Sequence, residues 1–111
     1  MRRLALVGLF MLATSAAAED WRTLSGDEVR AALTGHTLNY TSGAWQDFRA
    51  SGKTLYNAGR DSWGNWRVQG SQYCSQWPPS GLWDCYDMAT DGTTLRFIGS
   101  DGSTTDGVYA D

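Results

Sequence analysis

WRVQGSQYCSQW (residues 66–77) and LWDCYDMATDGTTLRFI (residues 82–98) decide how this chain folds. Apolar and polar side chains alternate through both stretches, the mark of strands with one buried face. Gly70-Ser71 and Asp91-Gly92 suit two-residue hairpins of the primed types. With Gly70-Ser71 as the turn, Gln69 pairs with Gln72, Val68 with Tyr73 and Arg67 with Cys74. With Asp91-Gly92 treated alike, Thr90 pairs with Thr93, Met88 with Leu95, Asp87 with Arg96 and Tyr86 with Phe97. Folding the stretches together sets Cys74 opposite Cys85. Trp66, Val68, Tyr73, Tyr86, Met88, Leu95 and Phe97 then share a core face. Asn65, Arg67, Gln76, Trp83, Asp87, Thr94, Arg96 and the cysteines share the other. A one-residue slip would exchange the two faces, so the clean segregation specifies the register.

Outward from this centre the chain reads as strand, turn, strand. Expected strands are 36–40, 44–49, 53–57, 62–69, 72–77, 82–90, 93–98 and 107–110, separated by turns rich in Gly, Asp, Pro and Ser. Such short links force antiparallel neighbours, because a parallel crossover needs a dozen or more residues. One short helix precedes them. Ser25 and Glu28 form a capping box, Leu24 and Val29 a hydrophobic staple, and Gly35 stands where a helix would end. The expected architecture is mainly β: an antiparallel meander of seven or eight short strands, curled into a small barrel or half-barrel, with the helix plugging or flanking one end.

The first 18 residues read as a signal peptide rather than as part of this fold. Arg2-Arg3 is the basic region, Leu4 to Leu12 the apolar one, and Ala16-Ala17-Ala18 the cleavage site. The apolar run is too short to cross a bilayer. Residues 19–111 make a single domain, expected in the periplasm or outside the cell. Without Arg2 and Arg3 it carries seven bases against twelve acids, a balance that argues against nucleic-acid binding and against docking on an anionic membrane. Two cysteines in an exported chain predict one disulfide, Cys74–Cys85.

No catalytic constellation is readable. His36 is the sole histidine and has no nucleophile or orienting acid marked for it. Asp84, Asp87, Asp91, Asp101 and Asp106 sit at turns or beside partners. Residues 101–107 lack the pattern of a calcium loop, and two cysteines with one distant histidine make a poor zinc site. Neither cofactor nor metal is expected. Two segments stand out as binding candidates. Pro78-Pro79 stiffens a loop with Trp77 and Trp83 at its base, where the rings could stack on a ligand or, alternatively, pack over the core and the disulfide. Arg60 lies in a polar connection and could hold a carboxylate or phosphate. Beyond it, Gly64 leaves room for another group to approach its strand closely.

Trp63-Gly64-Asn65-Trp66-Arg67-Val68, Tyr73-Cys74, Trp77-Pro78-Pro79, Cys85-Tyr86 and Asp91-Gly92 before Leu95-Arg96-Phe97 occur in that order behind the leader. The chain thereby resembles small exported proteins of uncharacterised function from Gram-negative bacteria. That resemblance implies a periplasmic β-domain with a disulfide and brings no catalytic residues. The expected function is a non-enzymatic module binding an unknown small ligand. Two alternatives are an inhibitor or accessory of another exported protein, as small β-barrel lysozyme inhibitors are, and a small hydrolase.

Overall fold

The computed structural model describes residues 20–110, so the expected signal peptide and its cleavage site lie outside the described residues. In chain order the elements are β1 (Arg22–Thr23), α1 (Gly26–Leu33), β2 (His36–Tyr40), β3 (Trp45–Phe48), β4 (Lys53–Asn57), β5 (Asp61–Gln69), β6 (Gln72–Gln76), β7 (Trp83–Thr90), β8 (Leu95–Ile98) and β9 (Thr104–Tyr109). Strands β2 to β9 pair consecutively and antiparallel, and β9 returns to β2, closing an eight-stranded barrel. The expected barrel is therefore complete, and the half-barrel is excluded. β1 is an added strand on the end of β7, with Arg22 opposite Thr90 and Thr23 opposite Ala89. Its two residues carry no alternating pattern, so nothing in the sequence marked it.

The first half of the decisive register is as expected: Gln69 faces Gln72, Val68 faces Tyr73, Arg67 faces Cys74, and Cys74 faces Cys85. The Cys74–Cys85 disulfide is formed. It joins neighbouring strands across one hairpin, so it should add about 2–3 kcal/mol by shrinking the unfolded ensemble. The double variant Cys74→Ala/Cys85→Ala is expected to lose that much in urea unfolding while keeping the barrel's far-UV circular dichroism.

The second half is corrected by two residues. Met88 faces Phe97 rather than Leu95, Asp87 faces Ile98 rather than Arg96, and Thr90 faces Leu95. The cause is Asp91. Its Oδ1 accepts from the backbone N–H of Thr93 at 3.0 Å and of Thr94 at 2.8 Å, while Thr90 Oγ1 donates to the Thr94 carbonyl at 2.8 Å. Thr93 and Thr94 are thus spent in a wider loop, and β8 begins at Leu95. A shift of two preserves the parity of the pleat, so the expected core face survives although its partners change. Arg96 pairs with Asp106 of β9 through two hydrogen bonds of 2.8 and 3.0 Å, and Asp87 instead accepts from Gln72 Nε2.

The helix closes one end of the barrel. Ser25 and Glu28 form the capping box, Val29 and Leu33 are fully buried, and Gly35 turns the chain with φ +77°. The Gly35 N–H donates to the Phe48 carbonyl at 2.7 Å, tying the helix end to β3. Gly26 lies against the Gly70 carbonyl, where any Cβ would collide. The turns at 49–52, 70–71 and 91–94 share this closed end with β1 and the end of β9. Loops 41–44, 58–60, 77–82 and 99–103 surround the opposite, open end. Between them Leu38, Phe48, Trp66, Tyr73, Met88 and Phe97 fill the core.

Candidate functional site

The alternation that packs the closed half of the barrel leaves a cavity in its open half. About 570 Å³ in volume, it is bordered by inward side chains from successive strands. Tyr40 comes from β2, Gln46 from β3, Tyr56 from β4, Tyr73 and Ser75 from β6, and Tyr86 from β7. Mouths of small β-barrels are a recurrent place for ligands, and the volume lies within the usual range for such sites.

The floor is a hydrogen-bonded chain. Tyr40 Oη donates to Gln46 Oε1 at 2.6 Å, and Gln46 Nε2 donates to Thr54 Oγ1 at 2.9 Å and Tyr73 Oη at 3.1 Å. Gln46, Thr54 and Ser75 are all buried, which a polar group tolerates only when its bonds are made. Trp77 Nε1 extends the chain by donating to Ser75 Oγ at 3.2 Å.

Burial raises the phenols bordering this floor. Tyr40 moves far above the usual 10, from burial first and then from the phenols of Tyr73, Tyr56 and Tyr86. Tyr73 is pushed up to about 12 by burial, against the opposing hydrogen bonds of Ser75 and Gln46. A phenol whose pKa rises on folding stabilises the fold fully below pH 10, and that contribution fades as pH climbs toward the folded value. Stability should therefore fall at about 1.4 kcal/mol per pH unit for each such phenol above pH 10. Urea midpoints followed from pH 8 to pH 11 should decline in step with delayed phenolate absorbance. A flat profile would contradict the burial.

The structure separates the two tryptophans of the proline loop. Trp77 follows the parity of Tyr73 and Ser75 and turns inward over the cavity, its ring 6.0 Å from that of Tyr56 at 70°. Gly64 makes the space: a Cβ there would fall 2.6 Å from Trp77 Cε3. Trp83 follows the parity of Cys85 and turns outward. Arg67 stacks on it with the guanidinium carbon 3.9 Å from the ring, and the pair crosses β6, where Cys74 is fully buried. Trp77 is thus a cavity residue and Trp83 a cover for the outer wall. Pro78 borders the cavity, Pro79 is exposed, and Leu82 at the loop tip is 77% exposed.

Arg60 lies on a loop of the same end, is exposed, and holds no carboxylate among the described residues; it does not border the cavity. His36 lies against Tyr109 at the closed end, far from the cavity, with ring centroids 4.7 Å apart and planes tilted by 46°. Among the described residues no group of three or more His, Cys, Asp or Glu could hold a metal ion. No helix among them is long and apolar enough to cross a membrane. Tyr40, Gln46 and Tyr56 were not singled out from the sequence. Gln46, sharing its parity with Phe48 in Trp45-Gln46-Asp47-Phe48, was the available signal.

Compared with family models, with curated proteins and with solved structures, the chain finds no match.

Proposed function

We propose that this chain is a non-enzymatic binding module of the periplasm or the extracellular space, holding a small molecule in the open half of its barrel. One observation carries the reading. A closed, disulfide-tied barrel keeps a cavity of about 570 Å³ beneath Trp77 instead of filling it with side chains. Rigid walls that already exist need no ordering when a ligand arrives, which lowers the entropic cost of binding. The signal-like N-terminus and the disulfide both favour an oxidising compartment.

Tryptophan fluorescence and thermal shift across sugars, peptides, haem and fatty acids test the proposal. A bound ligand should perturb the fluorescence of the wild type. Its affinity should drop about tenfold in Trp77→Ala, which removes an aromatic wall, and stay unchanged in Trp83→Ala. Silence across the panel, or a response that depends on Trp83 and not on Trp77, would count decisively against it. A second reading, an inhibitor or accessory of another exported protein, draws on Leu82, exposed at the tip of the proline loop. A stoichiometric partner lost in Leu82→Asp would favour that reading.

A further inference from the structure

We infer that the cavity selects organic cations: a protonated amine carried on an apolar, ring-sized body. The inference rests on the binding-module reading and deepens it by naming the ligand class.

The protons of the floor come first. Tyr40 gives its proton to Gln46, Gln46 gives both amide protons to Thr54 and Tyr73, Thr54 gives its own to the Asp47 carbonyl, and Trp77 gives its indole proton to Ser75. Tyr73 accepts from Gln46 and Ser75 from Trp77, so among these groups only those two hydroxyls keep a proton to give. What the floor still offers is mainly lone pairs. A ligand reaching it must therefore bring donors, and an ammonium brings three with no acceptor.

The walls favour the same charge. Tyr40, Tyr56, Tyr73, Trp77, Tyr86 and Phe97 border the space. Tyr40 and Tyr73 meet Phe97 at 68° and 72°, and Tyr56 meets Trp77 at 70°. Aromatic side chains on several sides of one volume give an entering cation π-systems to lie against. Among the described residues no charged side chain borders the cavity. A carboxylate or phosphate would therefore lose its hydration there and find no base to replace it.

The rim completes the field. Asp84 faces Ser75 across the β6–β7 ladder and shares the inward parity of Tyr86, at the exposed lip of the barrel. Asp84 stands at the start of β7 and Asp101 on the 99–103 loop, so both carboxylates lie at the open end, where their charges add to the rise that burial gives the Tyr86 phenol. Of the bases among the described residues, Arg60 alone lies on a mouth loop, beside Asp61. Tyr56 and Tyr86 hydroxyls can donate or accept and do not discriminate by charge. A cation entering the lip meets carboxylates, then ring faces, then acceptors.

The test uses three probes of one shape and different charge: phenethylammonium, 2-phenylethanol and 3-phenylpropanoate, titrated into the whole exported protein by calorimetry at low salt. Phenethylammonium should bind about tenfold tighter than 2-phenylethanol, and 3-phenylpropanoate weakest. In Asp84→Asn, an exposed site whose change spares the fold, the ammonium should lose about three- to fivefold, with 2-phenylethanol unaltered. If the alcohol or the carboxylate binds as tightly as the ammonium, or if Asp84→Asn weakens alcohol and ammonium equally, the charge selection is wrong while the binding module stands. Silence with all three probes, together with silence across the wider panel, would remove both.

Discussion

Phe48→Ala is expected to destabilise the protein by about 3–5 kcal/mol, the largest loss from any single truncation in the barrel. Phe48 is fully buried. Its ring meets Trp66 and Tyr73 edge-on at 5.7 Å and stacks on Phe97 at 6.4 Å. One side chain thus bridges β3, β5, β6 and β8, of which only β5 and β6 share a hairpin. Its own carbonyl also accepts from the Gly35 N–H, which ties the residue's backbone to the helix end. A domain of this length holds about 5–10 kcal/mol in total, so the variant would be near the edge of folding at room temperature. Urea unfolding should show the midpoint falling by about half or more. Phe48→Leu should recover most of the loss, because the cavity left is smaller. A cost below about 1 kcal/mol for Phe48→Ala would mean that the ring cluster does not hold the strands together.

Gln46→Leu is expected to cost about 2–4 kcal/mol despite its near-equal volume and greater hydrophobicity. Gln46 is the hub of the buried floor: Tyr40 donates to its oxygen, and its amide nitrogen serves Thr54 and Tyr73. Leucine leaves Tyr40 without an acceptor and removes donors from two hydroxyls, in surroundings where a missing bond costs its full desolvation penalty. The signature separates this from ordinary packing loss. The Tyr73 phenol loses one of the hydrogen bonds that hold its pKa down, so its titration should move further upward in Gln46→Leu. A variant as stable as the wild type, with the phenol titration unmoved, would show that the network contributes nothing.

Much of this architecture could be read from alternation and turns. Gly70-Ser71 left only one short way to turn, and the register from Gln69–Gln72 through Cys74–Cys85 followed. Asp91-Gly92 did not, because the Asp91 side chain can bind the next backbone amides and so compete with the strand ladder. Which solution wins depends on where Arg96 finds its carboxylate, and Asp106 arrives only from β9. The cavity was illegible for a related reason. Tyr73 and Tyr86 could be assigned to the inner face, but an inward tyrosine fills a core or borders a space depending on its neighbours around the ring. Trp77 and Trp83, six residues apart, admit two readings from sequence, a shared ligand surface or separate packing over the core and the disulfide. The loop between them breaks the parity and sends them to opposite sides of the wall.

β1 joins β7 beside Thr90, and β9 ends with Ala110 donating to the Thr37 carbonyl. Both described ends of the polypeptide therefore emerge from the pole sealed by the helix. A tether or fused reporter attached at either end would leave the aromatic vestibule pointing into free solution, so under the proposed binding function immobilised protein should take up ligand as freely as protein in bulk.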